Sequence, residues 1–306
     1  MSKEPLSPKN DFVFKLLFGE QTRLDILQNF LMAVLDLPAD EYDHLVIVDP
    51  HLRRESPDDK LGVLDVKIHT TTGKVIDVEI QVKPHRRIWE RILFYAARLI
   101  TEQLKSGVPY KAVKKAVSII IVDEDITAKD SKHYHHCFRL FDEKTGYRFP
   151  DLFEINTLEL PKLPGEPDGT MLFNWLWMFT AKTKEEFSMV AKTSPEIAKA
   201  VGVIMELSED EQTRLLAEAR EKYRRDEEAR WEDAFEDGKE EGRQEGWQKG
   251  RQEGQLEGRR EGEHDKAIDI ARSLLLKTQS VEMTAEITGL SLEEVKILAS
   301  ELPLNH

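Results

Sequence analysis

Cysteine is almost absent from this chain: Cys137 stands alone among 306 residues. A lone thiol excludes an internal disulfide framework and leads us to expect a reducing, cytoplasmic setting. Long apolar runs are also missing. None approaches the roughly 20 residues of a membrane span, so no membrane association is expected. The opening residues, MSKEPLSPKN, lack the apolar stretch of a secretory signal. No Walker-type or dinucleotide-binding glycine loop occurs. Positive charge is in deficit, with 44 Lys and Arg against 58 Asp and Glu and a net charge of -14. That balance argues against a protein that coats nucleic acid. It leaves room for a basic groove, because phosphate contacts depend on local charge. What is present, 40% hydrophobic and 33% charged residues with 8% aromatics, describes a globular chain with a charged surface. Its length suits one large domain or two modest ones.

The first half mixes helical and strand patterns. Residues 11–36 read as two helices hinged near Gly19, with Phe14, Leu17 and Phe18 on one apolar face. Leu24, Leu27, Phe30, Leu31 and Val34 form the next. LVIVDP (45–50) reads as a short strand, 89–104 as a helix, and AVSIIIV within 114–125 as a buried strand. FRLFDEKTGYRF suits a hairpin turning at Thr145-Gly146. The Pro/Gly-rich ELPKLPGEPDG (159–169) is the expected domain boundary, after which the pattern is helical. HYHHC (133–137) fits no usual structural zinc spacing and reads as an exposed strand edge.

The stretch VIDVEIQV (75–82) alternates apolar and polar residues, the mark of a strand with one buried face. Paired with LDVKIHT across Thr71-Thr72-Gly73, it places Asp65 opposite Glu79 and Lys67 opposite Asp77. Gly73 falls where a left-handed backbone is needed. Leu64, Val66 and Ile68 then share the other face with Ile76, Val78 and Ile80. A one-residue slip would turn every apolar side chain outward. Acids directly opposite one another repel, which is poor for stability and good for holding a hard divalent cation. The competing reading is a solvated acidic face in which Lys67 pairs with Asp77.

LDVKIHTTTGKVIDVEIQ resembles the active-site hairpin of the PD-(D/E)xK nuclease family transposases, also called recombination-promoting nucleases. NDFVFKLLFG (10–19), RILFYAARL (91–99) and LELPKLP (158–164) resemble further segments of that family in the same order, and glycine repeats recur in such proteins. The resemblance implies an α/β, restriction-endonuclease-like core: a mixed sheet flanked by helices, followed by an all-helical C-terminal region. It implies a metal-dependent DNA endonuclease using Mg²⁺, or Mn²⁺, in recombination, transposition or genome defence. Asp65 and Glu79 would be the metal-ligating acids, and Gln81 stands where most of the wider superfamily has lysine. Glutamine hydrogen-bonds but carries no charge. Either the metal alone activates water, or a migrated lysine substitutes, Lys67 and Lys83 being candidates. Asp11 resembles an additional acid brought by an N-terminal helix; the alternative is an N-cap for a helix starting at Phe12. His85, Arg86, Arg87 and Arg91, with Tyr95 one turn further on, are candidates for gripping a DNA backbone. The rival reading is an interaction protein of the same lineage, with Gln81 marking lost catalysis.

The resulting layout is a nuclease-like domain at 1–165, a helical region at 166–235, a glycine-repeat helix at 236–264 and a small helical module at 265–306. Gly238, Gly242, Gly246, Gly250, Gly254, Gly258 and Gly262 recur every four residues. Each costs a helix about 1 kcal/mol relative to alanine, yet small residues at this spacing let two helices approach closely. Bases follow these glycines (Lys239, Arg243, Arg251, Arg259) and acids precede the next (Glu241, Glu245, Glu253, Glu257, Glu261). In a parallel two-fold pair base then meets acid, so a parallel homodimer with a right-handed crossing is expected. The alternative is a flexible linker. AEITGLSLEEV (285–295) has helix-turn-helix spacing, but Glu293 and Glu294 on its second helix favour a protein partner over DNA.

Overall fold

The structure, a computed structural model, describes residues 4–49, 65–82, 87–104, 106–128, 130–278 and 280–302. Leu64, Lys83, His85 and Arg86, all named above, lie outside the described residues. The two expected N-terminal helices are α1 (Asp11–Phe18) and α2 (Leu24–Val34), separated at Gly19. Asn10 caps α1 by accepting from the Phe12 and Val13 N–H groups, so the helix begins one residue earlier than expected and Asp11 is not its cap. Next come β1 (Val46–Val48), β2 (Val66–His69), β3 (Val75–Gln81), α3 (Ile88–Thr101), β4 (Ala116–Val122), β5 (His135–Arg139) and β6 (Phe153–Glu159).

These strands form one six-stranded sheet in the order β1-β2-β3-β4-β6-β5. The pairs β1–β2, β2–β3 and β5–β6 are antiparallel; β3–β4 and β4–β6 are parallel. A mixed sheet flanked by helices is the α/β architecture expected. β5, carrying the last three residues of HYHHC, is an edge strand with Cys137 exposed, and Phe141 and Arg148 bridge around Gly146 as the hairpin reading requires.

The chain after 165 continues the same core. Helices α4 (Met171–Thr180), α5 (Lys184–Val190) and α6 (Pro195–Glu209) join α1 and α2 on the sheet face formed by Val66, Ile68, Ile76, Val78 and Ile80. Phe14, Phe18, Phe30, Trp175 and Phe179 interlock there, and the Trp175 indole N–H donates to Asn29 Oδ1 at 2.9 Å. Helix α4 is apolar nearly all round, as a helix buried in the core must be. The compact unit therefore runs to Arg225, and the Pro/Gly-rich stretch near 165 is a loop within it.

The second unit covers 226–306. Its main element is α7 (Glu211–Thr278), whose helix runs through every glycine of the repeat. A methyl group added at any of these seven glycines would meet nothing within 4 Å. Close packing inside this chain therefore does not account for them. Helices α8 (Val281–Thr288) and α9 (Leu292–Glu301) are joined at Gly289, in the left-handed region at φ 73°. Leu290, Val295 and Leu298 pack with Ala271 and Leu275 of α7 into a small separate core.

On the opposite sheet face α3 lays Ile88, Ile92 and Ala96 on Ile120, Val122 and Ile155, and Leu99 on Val75 and Ala116. Strand β3 is thereby covered on both faces, so its alternating polar residues are not a solvated face. The β2–β3 turn closes with Gly73 at φ 86° donating its N–H to the Thr70 carbonyl at 2.9 Å. Glu41, itself buried, grips that turn through the Thr70 and Thr72 hydroxyls at 2.6 and 2.7 Å and through the Lys74 ammonium. The nearest atom to a Cβ at Gly73 would be Lys114 Cγ at 3.8 Å, so any cost of Gly73→Ala is backbone strain. We expect that substitution to lower unfolding free energy by about 1–2 kcal/mol, read as a lower urea midpoint with an unchanged slope.

Candidate active site

The acids reach one place because of the hairpin register. Val66 pairs with Val78, Lys67 with Asp77, Ile68 with Ile76 and His69 with Val75, as the sequence pattern predicts. Extending that ladder by one residue sets Asp65 opposite Glu79, and the Ile80 N–H donates to Asp65 Oδ2 at 3.0 Å. Asp77 and Glu79 project from β3 beneath α3 and are 0% and 4% exposed. Both Asp77 carboxyl oxygens and Glu79 Oε1 lack a hydrogen-bond partner in normal geometry among the described residues.

Burial is the first cause of the unusual acidities here, because it penalises the charged form. Burial, then the neighbouring charges of Glu79 and Asp65, pushes Asp77 well above the carboxylate range; Lys67 and the Ser118 hydroxyl offset only part. Glu79 is raised to about 7, by burial and then by Asp65, with Arg91 and Lys15 pulling the other way. Asp65 is also raised by burial, against the Ile80 N–H and Lys15, and Asp11 adds to the rise.

The same sheet contains a control. Glu154 and Glu159 on β6 are equally buried, 3% and 0% exposed. Glu154, however, accepts from Lys115, Arg139 and Asn156, and Glu159 from Thr127 and the Ile126 N–H with Lys162 at 3.0 Å. Burial pushes both upward, but these partners outweigh it and both end below the usual carboxylate value. A buried acid that serves stability is paired. Those on β3 are left open, as at sites where acidity is tuned for function.

The donor set is entirely carboxylate oxygen, which suits a hard divalent cation rather than zinc. Among the described residues no three Asp, Glu, His or Cys side chains converge as a complete metal cage. A recess of about 630 Å³ elsewhere, lined in part by Met32, His133, His135 and Asp168, includes none of these acids.

A family model described as PD-(D/E)XK nuclease family transposase matches residues 8–234. The chain belongs to this family. A nuclease-related function follows from that membership. A search of curated proteins and a search of solved structures each returned no match.

The remaining candidates of this PD-(D/E)XK chain fall into place unequally. Asp11 lies close enough to Asp65 for its charge to register there. Arg91 acts on Glu79, and its guanidinium stacks over the Tyr95 ring at 4.7 Å from the centroid. Tyr95 in turn is raised by burial, with Glu79, Asp77 and Asp65 contributing, so it borders the acids as well. Arg87 is exposed at the start of α3. Gln81 ends β3, half-buried. Lys67 is not the ion-pair partner of Asp77: its ammonium binds Glu102 Oε2 at 2.8 Å, each side chain 12% exposed. The register pairs Lys67 and Asp77 along the backbone, but α3 supplies a carboxylate within closer reach.

Lys15 was missed from sequence. Its ammonium lies 3.2 Å from Asp65 Oδ1, reaching across from α1. The available signal was helical spacing: Lys15 follows Asp11 by four residues, so the two share a side of α1.

Glu79 binds a proton up to about pH 7 in the folded chain, against an ordinary value of 4.5. Between those values the folded state holds more protons than the unfolded, so stability falls as pH rises through that window and the loss is complete above it. Glu79→Gln in chelating buffer should therefore raise stability at pH 8 by about 1–3 kcal/mol and flatten the decline. A variant no more stable than wild type in urea titrations at pH 8 would contradict the burial argument.

Proposed function

We propose that the chain is a metal-dependent DNA endonuclease that hydrolyses phosphodiester bonds. The observation that carries this is the unpaired acid cluster on β3 beside Asp65, in a sheet whose other buried acids are fully paired. Asp65 and Glu79 would hold Mg²⁺ or Mn²⁺, which when bound supplies charge to polarise a phosphodiester and acidify a water. Asp11 lies near enough for its charge to act on Asp65 at that end of the cluster. Helix α3 roofs the inner carboxylates and limits their hydration, which strengthens every charge interaction at the site. Arg91 presents guanidinium donors beside Glu79 and is held in orientation by Tyr95. Gln81, at the end of the same strand, offers an amide that can orient a water or a phosphate oxygen. Exposed Arg87 extends the basic surface along which a duplex would be gripped without base reading.

We also propose that the glycine-bearing part of α7 pairs in parallel with a second copy, bringing two sites to one duplex. Support comes from glycines that no side chain of their own chain approaches and from flanking charges that are exposed. In the single chain those charges pair along the helix, as in Arg243–Glu240 and Arg259–Glu263, both at 2.8 Å. Exposed ion pairs of this kind are worth at most about 1 kcal/mol, so exchanging them for inter-helix pairs is cheap.

Supercoiled plasmid incubated with Mg²⁺ or Mn²⁺ should be nicked or linearised. Asp65→Ala and Glu79→Ala should each slow this by at least about a hundredfold. Cleavage that survives both substitutions, or no cleavage by wild type across metals and substrates, would reject the assignment. For α7, Gly246→Cys in a Cys137→Ser background should form a disulfide-linked dimer with itself. An antiparallel pair centred on Gly250 would instead oppose positions 246 and 254 and leave that thiol free.

A further inference from the structure

Asp65, Asp77 and Glu79 lie near enough to act on one another's charge, and together they repel a phosphodiester, which is itself an anion. Some cation of the chain has to face the substrate as well as the acids. Among the described residues, three basic side chains act on the cluster: Lys67 on Asp77, Arg91 on Glu79, and Lys15 on both Asp65 and Glu79. Lys67 is held by Glu102 at 2.8 Å with both partners nearly out of solvent, so it is committed to the fold. Arg91 is half-buried, with its Nε enclosed by protein and without a hydrogen-bond partner among the described residues, and its guanidinium is fixed in place by stacking on Tyr95. Lys15 differs from both. Its side chain is 35% exposed, and its one ion pair among the described residues, to Asp65 at 3.2 Å, is longer than that of Lys67 at 2.8 Å.

The base of the Lys15 side chain is nonetheless well placed. Helix α1 is anchored by Val13, Phe14, Leu17 and Phe18, all buried, and by the Asn10 cap, whose side-chain amide donates to the Ala217 carbonyl at 3.0 Å. A rigid helix thus delivers a flexible four-carbon arm with a mobile ammonium at the rim of the acid cluster. Among the described residues of the strands that carry the acids, β3 has no Lys or Arg and the lysine on β2 is taken by Glu102.

We propose that Lys15 is a catalytic residue of the nuclease site, its ammonium binding a non-bridging oxygen of the scissile phosphate while Asp65 holds it in place. This rests on the hydrolytic reading above. In that reaction a water oxygen bonds to phosphorus and the bond from phosphorus to one sugar oxygen breaks. One water proton ends on that sugar oxygen and the other on the new phosphate. Negative charge grows on the phosphoryl oxygens during the step, and a fixed cation at that point lowers the barrier.

Two measurements on the full-length chain test this, with Lys15→Met, which keeps length and removes charge, and Lys15→Arg, which keeps charge. The first is affinity for a short DNA duplex in chelator as a function of salt, which requires no metal and no turnover. Loss of one phosphate contact should reduce the slope of log affinity against log salt by about 0.9 in Lys15→Met and leave it unchanged in Lys15→Arg. The second is the single-turnover cleavage rate with Mg²⁺, expected to fall at least about a hundredfold in Lys15→Met and less than about tenfold in Lys15→Arg. Circular dichroism checks that both variants fold; should Lys15→Met fail to, Lys15→Ala replaces it. Cleavage by wild type with rate and salt slope unaltered in Lys15→Met overturns the role of Lys15 and leaves the nuclease reading standing. A slope reduced in Lys15→Met, with a wild type that cuts nothing, keeps the phosphate contact and removes the catalytic role together with the nuclease reading. Absence of any DNA binding overturns the contact itself.

Discussion

Burial of Asp77 and Glu79 between the sheet and α3 is the constraint around which the first unit is arranged. An unpaired buried carboxylate costs the fold several kcal/mol or forces the group to stay neutral. The surroundings offset that cost without cancelling it: Lys67 acts on Asp77, Arg91 and Lys15 act on Glu79, and the Ile80 N–H satisfies one oxygen of Asp65. Each contribution comes from a different element, which ties α1, β2, β3 and α3 to one another. The stability to tolerate such a cluster comes from the far side of the sheet, where the aromatic group centred on Phe18 and Trp175 is fully buried. One face of β3 thus stabilises the domain while the other face carries the charges.

The contrast within a single sheet separates the two uses of a buried acid. Glu154 and Glu159 sit in networks that use their oxygens fully, and their acidity falls below normal. Asp77 and Glu79 lie two strands away, both on β3, and keep oxygens with no partner. If buried acids were simply a habit of this fold, both sets would be paired alike. Their difference supports a ligand for the β3 set, and the family to which the chain belongs indicates the chemistry.

Much of the fold was legible because it rests on local rules. The β2–β3 register follows from alternation and from Gly73, whose left-handed backbone few other residues adopt cheaply. The six apolar residues of β4, interrupted only by Ser118, announce a strand covered on both sides. Alternation in β3 misleads, since it also predicts one wet face, and only the arrival of α3 makes that face dry. The same helix changes the partner of Lys67, since Glu102 is distant in sequence and near in space. The boundary expected near 165 also dissolves, because proline and glycine mark a loop but do not say whether the helices beyond it return to the same core.

Asp65 and Glu79 are therefore matters of sequence: a turn, a period of two and a ladder bring them face to face wherever the hairpin folds. Lys15 is a matter of tertiary structure. Nothing in the spacing from Lys15 to Asp65 predicts a contact across fifty residues. It arises because α1 buries Phe14, Leu17 and Phe18 against the core shared with the sheet and so turns its polar side toward the mouth of the hairpin. Short-range patterns specify which residues share a strand or a turn, while the burial of apolar faces decides which elements meet, and the charge balance of this site depends on that meeting.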